Sequence, residues 1–306
     1  MTDLKILRHP CFADHIVPIG HPERPDRIRT INAMLESQFS DCYQGEPPAA
    51  DLDHLRLVHE SSYVDAIFQS APEEGLVNLD GDTVMSPHSL AAALAGAGGA
   101  IEATRQVLTG EAGRVFVASR PPGHHAEPAQ AMGFCLFSNA AIAAKYAIAI
   151  HGLDRVAVVD FDVHHGNGTQ AAFWSDSHTI FASSHQMPLY PGTGAKDETG
   201  VGNIFNAPIA AGTDGDTITR IWQDYLLPKV AAMAPELIII SAGFDAHRLD
   251  PLGGLNMEAE DFANITRMIR NQAEDLAHGR IVSILEGGYD LDGLRDSAAA
   301  HLEVLR

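Results

Sequence analysis

Short apolar runs alternate along the chain with longer stretches in which apolar residues recur every third or fourth position. The runs Arg114–Ala118, Arg155–Asp160, Thr179–Ser183, Glu236–Ser241 and Arg280–Leu285 are rich in Val and Ile and predict strands. Several are apolar without alternation, as expected of strands covered on both faces. The longer patterns predict helices. One runs over Pro87–Leu108 after Ser86, another over Asn139–Ile150 after Ser138, each serine a candidate N-cap. A third spans Asp214–Ala232 from near Thr213, with Pro228 as a kink or stop, and a fourth spans Met257–Ala277 after Asn256. Strand–helix alternation of this kind predicts an α/β fold with a parallel sheet flanked by helices. No Ser/Gly linker, charge block or repeat interrupts it, so residues 1–306 read as one domain.

Composition narrows the function. Forty acidic residues against twenty basic ones leave a formal charge of −20, which disfavours nucleic acid and anionic membrane as partners. Hydrophobic residues make up 45% and charged residues 20%, an ordinary globular balance. Cys11, Cys42 and Cys135 form no disulfide framework, and the first residues lack the basic-then-apolar profile of a signal peptide. The apolar stretch Leu90–Ala100 has helical periodicity and reads as a core-facing helix, not a membrane span. The expected location is the cytoplasm.

Four predicted strands end in residues capable of chemistry. In open parallel sheets, ligands bind beyond the carboxyl ends of the strands. The first strand end is Asp160-Phe-Asp162-Val-His164-His-Gly-Asn167-Gly, where alternate residues of an extended chain share a face. Two carboxylates and an imidazole on one face repel and desolvate one another unless a cation joins them. The plainer reading is a strand ending in a polar turn. The second is Ser241-Ala-Gly-Phe-Asp245; with Asp162 and His164, Asp245 makes an oxygen and nitrogen set suited to Zn²⁺, and equally to Fe²⁺ or Mn²⁺. Alone, Asp245 reads as a turn cap. The third is Arg120-Pro-Pro-Gly-His124-His125, whose imidazoles titrate near neutrality and can move protons. Gly133-Phe134-Cys135 follows it and offers an aromatic wall. The fourth is Glu286-Gly-Gly-Tyr289, whose phenol can donate to a developing oxyanion. Taken singly, the histidine pair reads equally as a surface loop and Tyr289 as a packed loop residue. Taken jointly, the four ends assemble the parts for metal-assisted amide hydrolysis. There is no Gly-x-Ser-x-Gly, phosphate-loop or His-Glu-x-x-His motif to support a rival.

On these motifs the chain resembles the histone deacetylase superfamily, with its acetylpolyamine amidohydrolases and acetoin-utilisation proteins. The landmarks run in order over nearly the whole chain. They begin with His21-Pro-Glu-Arg-Pro25 and add Tyr190-Pro-Gly-Thr-Gly194 and Asp250-Pro-Leu-Gly253 to those above. His21-Pro-Glu-Arg-Pro25 and Asn167 are similar to class II enzymes and their bacterial relatives.

The resemblance implies a single-domain arginase/deacetylase fold around an eight-stranded parallel sheet. It implies one Zn²⁺ on Asp162, His164 and Asp245, with Fe²⁺ as the cellular alternative. His125 would be the general base and then acid, assisted by His124 with Asp160 as its partner. Tyr289 would clamp the acyl oxygen. Gly133, Phe134, Tyr190 and Leu252 would line the substrate channel, Tyr190 standing where most relatives have Phe. Asn167 would back His125 and lower its pKa relative to class I. A structural K⁺ would sit near Asp160, Asp162, His164, Ser183 and Ser184, with a second such site near Phe173. His21, Asp82 and His88 would lie near the rim. The implied substrates are acetylated lysine side chains of peptides or proteins, or else small acetylated amines such as acetylpolyamines. Leu252 favours the former, since a relative specialised for polyamines carries Glu there. A non-catalytic acyl-amide binder on the same fold would need a broken constellation, and every position here is filled.

Overall fold

The computed structural model describes residues 3–306. Its first elements are β1 (Leu4–Arg8), α1 (Pro25–Gln38), β2 (Tyr43–Gly45), α2 (Leu52–Leu55), α3 (Ser61–Ser70), β3 (Val77–Asn78), β4 (Val84–Met85) and α4 (Ser89–Thr109). Next come β5 (Arg114–Ala118), α5 (Asn139–His151), β6 (Val156–Asp160), α6 (Asn167–Phe173), β7 (Thr179–Gln186) and β8 (Ile204–Ile209). The chain closes with α7 (Gly215–Ile221), α8 (Leu227–Ala232), β9 (Leu237–Ala242), α9 (Ala259–Leu276), β10 (Ile281–Leu285) and α10 (Leu291–Leu305).

The five predicted strands are present within a residue or so, β7 extending on to Gln186. They belong to an eight-stranded sheet in the order β2-β1-β5-β10-β9-β6-β7-β8, with every pairing parallel. Alternation divides each central strand between two cores. In β9, Ile238, Ile240 and Ala242 pack toward α1, α9 and α10, whereas Leu237 and Ile239 pack toward α4 and α5. Continuous apolar runs are therefore what this sheet requires. β3 and β4 form a separate antiparallel pair, whose turn presents Asp82. There the Asp80 carboxylate accepts from the amides of Asp82 at 2.9 Å and Thr83 at 2.6 Å.

Three predicted helices shift at their ends. α4 starts at Ser89 rather than Pro87, because the Ser89 hydroxyl accepts from the Ser86 amide at 2.7 Å and ties off the turn before it. The segment Asp214–Ala232 is helical without a break from Gly215 to Ala232, but its winding changes within. Asp214 caps α7 by accepting from the Thr217 amide at 2.9 Å, a π-helical turn follows at Trp222–Leu226, and Pro228 comes directly after it, at the start of α8, where the bonding pattern changes. α9 begins after a reciprocal capping box between Glu258 and Asp261, two residues later than Met257.

The topology brings function-bearing ends together. The chain leaves β5, skips two places to form β6, and later fills the gap with β9 and β10. The four adjacent strands β5, β10, β9 and β6 are therefore the four whose carboxyl ends carry the chemical motifs. That gap is the topological switch point where such sheets bind ligands.

His301 of α10 tests the core beneath the site. It is fully buried, with Nδ1 2.7 Å from the Thr266 hydroxyl and Nε2 2.8 Å from the Ser283 hydroxyl. Burial lowers its pKa from the ordinary 6.5 to about 3. The unfolded chain therefore takes up a proton that the folded chain refuses. This contribution to stability is complete above pH 6.5 and falls as pH drops below it, by about 1.4 kcal/mol per unit. In urea unfolding from pH 7 to 4.5, His301→Gln should show a slope shallower by one proton than the wild type; parallel curves would mean the imidazole is not held neutral.

Candidate active site and metal centre

The loop after β6 bends so that successive carboxylates bond the backbone ahead of them. The Asp162 amide donates to Asp160 Oδ1 at 3.1 Å, and the His164 amide to Asp162 Oδ1 at 2.9 Å. Asp245, just beyond β9, accepts from the Val163 amide at 2.7 Å and is locked to the same loop. The Gly287 amide donates to Asp162 Oδ2 at 2.9 Å. A Cβ at Gly287 would collide with both Asp245 and Asp162, so the glycine lets the backbone reach the carboxylates.

Asp162, His164 and Asp245 are all buried, and one donor atom from each lies within 4.8 Å of the others. His164 Nδ1 is 3.1 Å from Asp162 Oδ1 and 3.0 Å from Asp245 Oδ2. A single ring nitrogen carries at most one proton and cannot serve both oxygens well. Burial and the Asp162 charge push Asp245 up to about 7. His164 is drawn up to about 10 because the two carboxylates outweigh the cost of burying its charge. Unaided, the cluster makes its own imidazole the cation. Two carboxylates and one imidazole converging on a point, with a glycine cradle behind, fit a divalent ion with room for an exogenous ligand.

The histidine pair divides in two. His124 Nδ1 lies 3.0 Å from Asp160 Oδ2; although burial opposes it, Asp162 and Asp160 hold its pKa well above the usual value. His125 moves the other way, lowered by burial and then by the neighbouring His124 and His164. Its Nδ1 faces Asn167 Oδ1 at 2.8 Å, while the Asn167 amide nitrogen donates to Glu127 at 2.7 Å. An asparagine oriented this way presents only an acceptor to the ring, so Nδ1 holds the proton and Nε2 has a free lone pair.

His125, His164 and Tyr289 face one cavity of about 230 Å³, also lined by Gly133, Phe134, Leu189, Tyr190, Leu252 and Asp82. Tyr190 stands edge-on to His125 with ring centres 5.1 Å apart, and Phe134 edge-on to Tyr289 at 5.9 Å. Gly133 and Phe134 both adopt left-handed backbone, with φ of 56° and 70°. This is uncommon for an aromatic residue and costs on the order of 1–3 kcal/mol. The Phe134 amide is held by the Thr83 hydroxyl at 3.0 Å, and His21 packs on the Phe134 ring at 4.7 Å. His88 is exposed before α4 and does not line this cavity. A larger groove of about 530 Å³, lined by residues of α9 and α10 such as Arg267 and Arg270, holds none of these groups.

Asp160 and Ser183 are register partners across β6 and β7, which brings the main chain of the expected K⁺ residues together. The side chains are engaged elsewhere: Ser184 Oγ accepts from the Trp222 indole at 2.9 Å, and Ser183 Oγ lies 2.9 Å from His185. Near Phe173, the Asn203 amide nitrogen sits 3.0 Å from the carbonyls of Phe173 and Asp176 and 2.8 Å from that of Thr179.

Several supporting residues escaped the sequence reading. Glu23 is fully buried between two arginines, 2.5 Å from Arg120 Nε and 2.8 Å from Arg27 Nη1. They hold its carboxyl below the usual range despite its burial. Glu286 Oε2 accepts from the amides of Gly123 at 2.6 Å and His124 at 3.2 Å, fixing the histidine loop to the end of β10. Glu23, Arg120 and Glu286 lie inside motifs named above, and Arg27 is marked locally only by its i,i+4 spacing from Glu23 across the start of α1.

The histone deacetylase domain family matches residues 21–305. A histone deacetylase-like amidohydrolase of Pseudomonas aeruginosa is 40% identical over 278 residues, covering 88% of this chain and 73% of that one. A probable deacetylase of Archaeoglobus fulgidus is 36% identical, covering 94% of this chain and 82% of its own. Among solved structures, the HDA15 HD domain matches with a TM-score of 0.92 and 35% identity over 98% of this chain and 90% of that one.

The donor geometry carries a direct test. Asp245→Ala removes one of three converging donors and should abolish metal retention through dialysis, read by elemental analysis. Stoichiometric metal in that variant would rule Asp245 out as a ligand.

Proposed function

This chain belongs to the histone deacetylase family, and within it we propose a zinc-dependent amidohydrolase that removes acetyl groups from lysine side chains. The observation that carries the reading is the convergence of His125, His164 and Tyr289 on one narrow cavity beside the Asp162–His164–Asp245 cluster. The proposal takes residues 1–306 as one deacetylase domain. No described helix is long and apolar enough to cross a membrane, and the proposed location is the cytoplasm.

Asp162, His164 and Asp245 would hold the zinc, or Fe²⁺ in the cell. A divalent ion there supplies Lewis acidity, polarising an acyl carbonyl and easing loss of a proton from water. The protein's own groups supply the rest. His125 Nε2 takes a proton from the attacking water, because Asn167 keeps the ring's proton on the far nitrogen. His124, held by Asp160, keeps a positive charge beside the developing oxyanion. Tyr289 donates a hydrogen bond to the acyl oxygen as its charge grows; its phenol pKa, raised by burial, keeps it protonated. His125 then returns the proton to the leaving amine, giving free lysine and acetate. Phe134 and Tyr190 flank the methylene stem, and Gly133 gives that wall its turn. A structural K⁺ on oxygens around Asp160, Asp162, His164, Ser183 and Ser184 completes the reading, supported by the pairing of β6 with β7.

Leu252 favours a lysine substrate over a polyamine, since its own side chain offers no carboxylate to read a distant ammonium. A specific observation keeps small acetylated polyamines in view: Asp82 lines the cavity and Asp80 bonds its amide, so the mouth has acidic character. The ratio of kcat/KM on an acetyl-lysine peptide and on acetylspermidine, with and without chelator and added Zn²⁺, decides between them. Activity insensitive to chelator would overturn the metal reading.

Tyr289→Phe should lower kcat on acetyl-lysine by roughly 10²–10³, the cost of one oxyanion donor. An unchanged kcat would remove the phenol from the mechanism.

A further inference from the structure

Asp250 lies in the loop between β9 and α9 and is only 7% exposed. Its carboxylate spends all its bonds on backbone amides. Oδ1 accepts from Leu252 at 3.0 Å; Oδ2 accepts from Tyr289 at 2.6 Å and from Asp290 at 3.2 Å. One side chain thus joins the loop carrying Leu252, which lines the cavity, to Tyr289, which lines the same cavity.

Tyr289 needs such a tie. It follows Gly287 and Gly288, and Gly288 has a φ of 118°, so the preceding backbone sets little of its direction by itself. The ring is approached from another side by Arg27, whose guanidinium lies 4.8 Å from the ring centre. Arg27 also donates to the carbonyls of Glu286 and Gly288, both at 2.5 Å. Arg27 therefore restrains the approach to Tyr289, and Asp250 holds the Tyr289 amide itself. Asp290, which shares Oδ2, caps α10 by accepting from the Gly293 amide at 2.8 Å, so the same carboxylate also registers the loop against a helix start.

We propose that Asp250 is a positioning residue for Tyr289, fixing the phenol over the reacting carbonyl and making it move as one piece with the loop of Leu252. The inference rests on Tyr289 being the oxyanion donor. A misplacement near 1 Å at such a donor costs up to roughly a hundredfold in rate.

The test is a four-protein cycle of wild type, Asp250→Asn, Tyr289→Phe and the double variant, with kcat and KM measured on an acetyl-lysine peptide. The asparagine retains one acceptor oxygen and turns the other into a donor, so one set of amide bonds is lost. The expected result is a kcat lower by roughly ten- to a hundredfold with KM little changed. In the Tyr289→Phe background the same substitution should cost almost nothing, because no phenol remains to position. Losses that multiply would mean Asp250 supports the whole site, and the proposal would be wrong. A Tyr289→Phe variant of unchanged kcat would instead sink the underlying reading, a separable result.

Asp250→Glu, which keeps the charge but displaces the acceptors by one methylene, should give the same non-additive pattern if Asp250→Asn folds poorly. A readout independent of turnover comes from metal-free protein labelled with ¹³C on its tyrosine rings. The Tyr289 signal, assigned by its loss in Tyr289→Phe, should shift in Asp250→Asn or Asp250→Glu while the other tyrosines stay in place. An unmoved signal would overturn the positioning role.

Discussion

Three carboxylates with no solvent access stand side by side at the carboxyl edge of the sheet, and their mutual repulsion is the constraint that the surrounding structure answers. Asp160 ends β6 and Asp162 lies just beyond it, while Asp245 follows β9, its direct neighbour. In a dry interior such groups do not ionise together without compensation. The fold supplies compensation in layers. Backbone amides of Asp162, Val163, His164 and Gly287 point at the oxygens, His124 and His164 stand against them as cations, and a glycine cradle leaves space for an ion. A site with this much negative charge in reserve is poised to bind cations and to stabilise the positive charge that a proton-accepting imidazole acquires.

A second buried ionic cluster sits one layer further out. Arg120 precedes the histidine pair, Arg27 holds the loop of Tyr289, and Glu23 bridges the two arginines. Arg120 also donates to the carbonyls of Phe12 at 2.6 Å and His15 at 3.1 Å. The N-terminal segment, remote from the site in sequence, is thereby bolted to the two loops that carry the proton-transferring and oxygen-binding groups. The precision of the site depends on α1 as much as on the sheet.

The reasons some parts were readable in the sequence are physical. Central strands such as Leu237–Ala242 must be apolar on both faces, and so short an uninterrupted Ile run, rich in β-branched residues and followed by Gly243, reads as one. The residues at their ends stood out because Asp, His and Gly directly after such a run do not serve packing. β1 and β8 went unread because Lys5 and Arg8 interrupt the first, and the second, at the sheet edge, contains Pro208, which an edge strand tolerates. In the sequence Asp250 stands only as part of the Asp250-Pro-Leu-Gly253 motif. What it does depends on Leu252 nearby and on Tyr289, which is 39 residues away. Burial of Arg27 likewise depends on carbonyls about 260 residues distant, which no local pattern encodes.

The Asn203 side chain closes the turn between α6 and β7 from within. Its amide nitrogen gathers three main-chain carbonyls, and its oxygen accepts from the Val201 amide at 3.2 Å. A turn stitched in this way is held by a group that the chain itself carries. The entrance to β7, and through β7 the flank of the acidic edge, has an anchor that cannot diffuse away.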